Sequence, residues 1–406
     1  MASSAEKSLP AGPVLAVTTS TQALSTLGAL ALAAAAPRAA ADLHVSAAVI
    51  GYQVALVFAA AALSALFAGG IVRRYGSVRT SQLSLWLVGA GCGLSALGEL
   101  PLLALGAVVI GLGYGITNPA ASQLLTRVPS RRMNLIFSIK QTGVPIGGVL
   151  SGVIVPPLTL AAGWQTALAT CAVAIAVLGV AIGIVRREWD SERLPGAPLV
   201  ASAFESIALV WQHPILRWLA GASFLYSGVQ LCLTGFLVTY LVGDIGLGLV
   251  VAGTVLSTTH AAGAFGRLAW GWLADRFRSG GAVLVANGVC SMIGALLVAA
   301  IAPHWPLAAV IGASAAFGFC ALGWNGVYIA AIARRAPSGT IGLATGGSLF
   351  VTYAGVIVTP PAFSALHDQA GLSYGMVFAL LAIVTAIGIG CVGLAWRARL
   401  RADAAN

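Results

Sequence analysis

Charge is what this chain has least of. Its 406 residues include only 21 Lys or Arg and 11 Asp or Glu, 8% together, against 59% hydrophobic residues and a mean hydropathy of +0.95. Soluble domains devote about a quarter of their residues to charge, so a water-facing globular surface is excluded. Cysteine is sparse and scattered: Cys92, Cys171, Cys232, Cys290, Cys320 and Cys391 form no CxxC pair and have no His neighbourhood suited to a metal, and read as small apolar fillers. There is no nucleotide-binding loop and no nucleophile motif with a base, and the polar connections are too short to hold a catalytic domain. An enzyme is therefore not expected, nor any cofactor or metal. The first apolar run lacks a basic n-region and a small-x-small cleavage site, so it reads as a retained span and not a removed signal.

What is there instead is apolar length. Runs of about 20 residues or more lie near 13–36, 47–71, 80–98, 101–126, 135–160, 163–185, 215–242, 247–274, 281–302, 305–333, 340–366 and 371–397, each able to cross a ~30 Å hydrocarbon core as a helix. They are apolar on every face and rich in Gly and Ala, unlike the alternating ~10-residue strands of a membrane β-barrel. The fold class expected is an all-α membrane protein of twelve transmembrane helices.

The net charge of +10 would suit nucleic acid until its positions are laid on those spans. Arg73, Arg74 and Arg79 fall between spans 2 and 3, Arg127, Arg131 and Arg132 between 4 and 5, and Arg186, Arg187 and Arg193 between 6 and 7. Arg276 and Arg278 follow span 8, Arg334 and Arg335 span 10, and Arg397, Arg399 and Arg401 span 12. The opposite loops hold Arg38 with Asp42, Glu99, Asp244 and Asp368. By the positive-inside bias both termini are cytoplasmic. The partners expected are the lipid bilayer and a small-molecule solute, with no nucleic acid.

The chain also repeats itself. Gly69-Gly70-Ile71-Val72-Arg73-Arg74-Tyr75 returns as Gly271-Trp272-Leu273-Ala274-Asp275-Arg276-Phe277. Asn118, ahead of Arg127, is echoed by Asn325 ahead of Arg334, and Val153-Ile154-Val155-Pro156-Pro157 by Val356-Ile357-Val358-Thr359-Pro360-Pro361. Copies in register mean two parallel six-helix repeats, a transporter arrangement with its substrate where the repeats meet. The expected domains are an N-terminal half, 13–186, a cytoplasmic linker, 187–214, and a C-terminal half, 215–397. Phe204, Ile207 and Trp211 fall at i, i+3 and i+7 in the linker, the spacing of an interfacial helix.

These residues resemble the major facilitator superfamily over essentially all of 13–397. Gly271-Trp-Leu-Ala-Asp275-Arg276 is close to the family's G-x-L-x-D-R pattern between the second and third helix of each half. The resemblance implies a cytoplasmic gate made of Asp275, Arg276, Arg74, Gly69 and Gly271. Arg73 stands where the family usually has Asp, so the gate is expected to rest on Asp275 alone. In span 5, Lys140-Gln141-Thr142-Gly143-Val144-Pro145-Ile146-Gly147-Gly148 resembles the family's glycine-proline motif. Gly143, Gly147 and Ser151 share a face there, which would permit close approach to the other half, and Pro145 frees the Gln141 carbonyl. With Gly113-Tyr114-Gly115-Ile116-Thr117-Asn118-Pro119 in span 4, that wording looks most like the bacterial cyanate and nitroimidazole permease branch. This implies a compact anionic or polar substrate and a bacterial inner membrane.

Ionisable groups inside spans are costly and mark pathways by default. Lys140 lies roughly 10 Å into span 5 and Arg267 about 12 Å into span 8. The family fold implies that those helices face one another, so that both cations could line one cavity. No Asp or Glu lies inside a span to neutralise them, whereas an anionic substrate could; alternatively each cation snorkels or bonds helix carbonyls. His260, seven residues before Arg267, shares its helical face and reads either as a satisfied buried imidazole or as a candidate for proton coupling, beside a gate-level acid such as Asp42 or Asp275 or exchange against a second solute. Thr18, Thr19 and Gln22 in span 1, Tyr114, Thr117 and Asn118 in span 4, Tyr226 and Gln230 in span 7, and Trp324, Asn325 and Tyr328 in span 10 supply orienting hydrogen bonds on the helices that line the family's cavity. The reading that follows is a secondary transporter of a small, carboxylate-like organic anion working by alternating access, for which a monomer suffices. The alternatives are an exporter of drug-like or apolar compounds and a membrane sensor or scaffold that transports nothing.

Overall fold

The computed structural model describes residues 9–45, 47–191 and 193–405. Among them every regular element is helical, as a chain with apolar residues on every face requires when backbone groups have only each other to bond. In chain order the helices of the first repeat are α1 (Ala11–Ala34), α2 (Ala36–Asp42), α3 (Ala47–Tyr75), α4 (Ser77–Ser95), α5 (Leu100–Thr126), α6 (Met133–Gln141), α7 (Gly143–Ala162) and α8 (Trp164–Ala181). The linker holds α9 (Arg186–Trp189) and α10 (Val200–Gln212). The second repeat holds α11 (Pro214–Gly243), α12 (Leu249–Arg276), α13 (Gly280–Ala299), α14 (Leu307–Ala321), α15 (Asn325–Arg335), α16 (Ile341–Asp368) and α17 (Tyr374–Ala405).

Ten of the described helical stretches are long and apolar enough to cross a bilayer, with α6–α7 and α14–α15 each forming one. Two of the twelve expected spans fall short of that test. α4 opens with Ser77, Arg79, Thr80, Ser81 and Gln82, and α12 carries His260, Arg267 and Asp275, so their apolar content is diluted.

The chain divides into two compact units. The first takes the chain up to Arg131 with Lys140–Leu209 and Ala336–Phe350; the second takes Arg132–Ile139, Val210–Arg335 and Val351 onward. The start of span 5 thus groups with the second repeat and the start of span 11 with the first, an exchange across the 13–186 and 215–397 boundaries read from sequence. Within each unit small residues set the helix spacing. A Cβ on Gly111 would run into the Val57 carbonyl, bringing α5 against α3, and one on Gly318 would meet the Thr259 carbonyl, bringing α14 against α12. These are the same joint in the two repeats.

Helix starts are held by aspartates. The first amides of a helix have no intrahelical acceptor and carry its positive end, so a carboxylate there satisfies both. Asp190 Oδ1 accepts from the Val78 amide at 2.8 Å and Oδ2 from the Arg79 amide at 2.9 Å, closing the first turn of α4. Asp275 does this for α6 through the Asn134 and Leu135 amides, at 3.1 and 2.7 Å. Asp244 Oδ2 accepts from the first amide of α17, Tyr374, at 3.0 Å, and Asp42 Oδ2 from the indole of Trp164, where α8 begins, at 3.1 Å. Burial pushes the Asp190 carboxyl up, opposed by its two amide donors and by Arg186 and Arg193. Gly76, at φ +92°, lets the chain turn tightly over that carboxylate.

Removing this acceptor tests the account. Asp190→Ala should cost about 1–2 kcal/mol and lower the unfolding temperature of the detergent-purified protein. Asp190→Asn, which keeps one acceptor, should lose less; an equal loss in both would show that charge and not hydrogen bonding holds the turn.

Candidate functional site

Lys140 is one of two lysines in a chain that otherwise uses Arg for positive charge, and it is buried, at 2% exposure. It does not snorkel to the surface. Three side-chain amide oxygens converge on its Nζ: Gln22 Oε1 at 2.7 Å, Gln141 Oε1 at 3.1 Å and Asn118 Oδ1. A neutral amine has two N–H bonds and an ammonium three, so three acceptors call for the charged form, and a compact ammonium meets them where a planar guanidinium would not. Gln22 is oriented in turn by Thr26, whose hydroxyl accepts from Gln22 Nε2 at 3.4 Å.

Local breaks in the helices assemble this group. α6 ends at Gln141 and α7 starts at Gly143, with Pro145 inside its first turn, which places Lys140 and Gln141 at the end of a helical segment. Asn118 precedes Pro119 within α5. The glycines of α7 serve a different neighbour from the one expected. A Cβ on Gly143 would meet the Thr19 carbonyl and Gln22, and one on Gly147 the Ala23 carbonyl and Thr26, so this face closes on α1 of the same unit. Gly148 makes ordinary contact with Leu30, also on α1. The expected face toward the other half is thereby corrected, because α1 occupies it.

In the second unit a glutamine of span 7 meets the repeat-related asparagine of span 10. Gln230 Oε1 accepts from Asn325 Nδ2 at 3.0 Å and from Trp324 Nε1 at 3.2 Å. Tyr226 and Tyr328 pack on the Trp324 ring with centroids 5.8 and 5.3 Å away. A break in span 10 makes this possible, since α14 ends at Ala321 and α15 begins at Asn325. Carbonyls at the end of α14 accept from side chains: Phe319 O from Trp270 Nε1 at 3.2 Å, Cys320 O, which also accepts from the Gly323 amide, from Asn287 Nδ2 at 3.0 Å, and Leu322 O from Arg267 Nε at 3.0 Å. Arg267, 3% exposed, thus caps a helix C-terminus, where a cation complements the dipole. Neither Trp270 nor Asn287 was expected in this role. A donor opposite an interrupted apolar run was the available signal, but sequence did not mark the interruption at Leu322-Gly323.

The remaining candidates have surroundings of other kinds. Thr117 Oγ1 is 2.7 Å from the Ser84 hydroxyl, joining α5 to α4, and Tyr114 packs edge-on against Phe58 with centroids 6.0 Å apart. Thr18 bonds back to the Val14 carbonyl at 2.8 Å, while the buried Thr19 hydroxyl has no hydrogen-bond partner. His260 is exposed although Arg267 is buried. α14 lies along Thr259, Gly263 and Gly266, one position round from His260, so a shared helical face did not give a shared environment.

At the gate residues the two repeats differ. Asp275 also accepts from Asn134 Nδ2 at 2.6 Å, and Asn134 Oδ1 accepts from Arg334 Nη2 at 2.7 Å. Gly271 lies on Ser138 and Gly69 on Leu343, the same close approach in each unit. Arg276 is exposed, and Arg74 lies against the Tyr75 ring at 5.6 Å. Arg73 meets Glu205 of α10 at 3.6 Å.

Long apolar helices with polar side chains buried among them define an integral membrane protein. The family description Major Facilitator Superfamily matches residues 18–355, and the chain belongs to that superfamily. It is 26% identical over 374 residues to the probable nitrate/nitrite transporter NarK2 of Mycobacterium tuberculosis, covering 88% of this chain and 89% of that protein. It is 25% identical over 262 residues to the hexuronate transporter of Bacillus subtilis, covering 60% of each, less than two thirds of that relative's length. The fold matches the crystal structure of the E. coli fucose:proton symporter with a TM-score of 0.72 at 17% identity, covering 95% of this chain and 99% of that one.

The amide cage is testable as a unit. Lys140→Met and Asn118→Leu should each lower the unfolding temperature, while the double variant should fall well short of the sum, with a coupling of about 1.5–3 kcal/mol as for hydrogen bonds to charged groups. Additive losses would mean that the two side chains act independently.

Proposed function

We propose that this protein is a secondary active transporter of a small anion, carboxylate-like in size and charge, working by alternating access with twelve spans and both termini cytoplasmic in a bacterial inner membrane. The observation that carries the anionic reading is Lys140: a buried ammonium solvated by three neutral amide oxygens keeps its charge, and intramembrane cations mark substrate pathways. Two relatives are named for anions, nitrate/nitrite in one and a hexuronate in the other, which supports the same class.

Lys140 is the residue that attracts the anion, with Gln22 and Asn118 as its positioning partners. Arg267 supplies positive charge in the second unit while holding the end of α14. Gln230, Trp324, Asn325 and Tyr328 orient the solute through hydrogen bonds and aromatic surface, and Tyr114 and Thr117 support the helices that carry the cage. Asp275, with Arg276, Arg74, Gly69 and Gly271, forms the cytoplasmic gate.

Purified protein should be stabilised against heat by nitrate or by short carboxylates, with about 2.7 kcal/mol expected at a hundred times Kd. Lys140→Met should abolish that shift and Arg267→Ala weaken it. Stabilisation by apolar drugs that persists in both variants would replace the anion reading with an exporter.

Coupling is assigned to His260, an exposed titratable group on α12. His260→Gln in proteoliposomes should remove pH-driven uptake while sparing counterflow exchange; an unchanged response to an imposed pH gradient would assign coupling elsewhere.

A further inference from the structure

The linker helix α10 has two unlike faces. Ala203, Ser206 and Val210 are buried, and the Ser206 hydroxyl donates to the Leu66 carbonyl of α3 at 3.0 Å. Opposite them Phe204, Ile207 and Trp211 are exposed at 74, 43 and 64%, a stripe at helical spacing. Large apolar side chains grouped on one face of a water-facing helix are costly, so this stripe marks a partner.

Chain continuity says which partner. One residue, His213, separates α10 from Pro214, where the apolar stretch Pro214–Gly243 begins. Trp211, at the end of the stripe, therefore lies close in the chain to the start of an apolar span. Within the first turn of α11, Arg217 lies against the Trp218 ring at 5.6 Å, and aromatic and basic side chains together anchor a helix at headgroup depth.

The inner face of α10 is tied to the loop where the two repeats diverge. In the second repeat Asp275 closes the start of α6. In the first, Arg73 replaces that acid and meets Glu205 on α10, while the Arg73 carbonyl accepts from the Leu194 amide at 2.7 Å. An exposed pair of this kind is worth little by itself. Held beside the Ser206 bond, it fixes where the helix sits on the first unit.

We propose that α10 is a membrane-surface anchor: Phe204, Ile207 and Trp211 insert into the lipid interface, while Glu205 and Ser206 fasten the helix to α3, at Arg73 near its end and at the Leu66 carbonyl further in. The anchored linker holds the first repeat's loop, the duty that Asp275 performs in the second repeat.

The test uses the full chain in nanodiscs. Phe204→Cys, in a background with the exposed Cys290 and half-buried Cys391 changed to Ser, carries an environment-sensitive fluorophore. Quenching by phospholipid spin-labelled near the acyl carbonyl should halve the emission or better, and aqueous iodide should have little effect. Changing Ile207 and Trp211 to Ser should reverse that order. Iodide quenching without lipid quenching would overturn the anchor, as would insensitivity to both with cross-linking of two copies through position 204, which would make the stripe a dimer contact. For the inner face, Arg73→Glu should raise amide exchange in residues 203–212 at least fivefold and Arg73→Glu with Glu205→Arg should restore it. Unchanged exchange in Arg73→Glu would overturn the tie.

Discussion

The structure depends on how helix ends find partners where the bilayer supplies none. A span leaves its first amides and last carbonyls unpaired, and among the described residues four aspartates serve at helix starts. Asp190, Asp244 and Asp275 accept from first-turn amides of α4, α17 and α6, and Asp42 from the indole at the head of α8. The acids that shape the fold therefore sit at helix boundaries. The polar side chains inside the membrane-depth helices are left to amides, hydroxyls, aromatics and a few cations.

The same constraint explains the breaks. Span 10 is interrupted between α14 and α15, and carbonyls at the end of α14 accept from Trp270, Asn287 and Arg267. With its last turn satisfied, the chain restarts at Asn325, whose amide reaches Gln230. In the first repeat the interruption falls in span 5 instead, and its end presents Lys140 to Gln22 and Asn118. Asn118 and Asn325 correspond across the duplication, and Gln22 and Gln230 lie on the first span of each half. One pair turns its oxygens to a cation; in the other the asparagine amide donates to the glutamine oxygen.

Much of this was legible in the sequence. The repeated loop motifs and apolar runs gave the fold class, and the concentration of amides on repeat-related spans marked Gln22, Asn118, Gln230 and Asn325. What was not legible was the neighbour of each face. A spacing of four places Gly143 and Gly147 on one side of a helix, but helices apolar all round carry no gradient to say which helix meets that side, and it is α1. His260 and Arg267 share a face by period, yet α14 covers the adjoining stripe and leaves His260 exposed. Thr117 lies on α5 next to Asn118, but successive positions turn by 100°, so its hydroxyl meets Ser84, while Tyr114, four residues from Asn118, packs on Phe58. The loss of an acid at Arg73 was visible, whereas its partner, more than a hundred residues away, was not.

Under the proposed function, the way Lys140 is held bears on anion recognition. A carboxylate partner would neutralise the ammonium, and an incoming anion would then have to displace a charge of its own sign. Amide oxygens solvate the cation with dipoles and leave its net charge intact. An approaching carboxylate or oxoanion replaces one neutral acceptor with a charged one, a stronger hydrogen bond, while the displaced amide can turn its N–H to the anion. The exchange asks for reorientation of short side chains such as Asn118 and Gln141, not the breaking of an ion pair. A cage of this kind keeps a buried cation stable without the solute and receptive to it, which is what a carrier that must both bind and release requires.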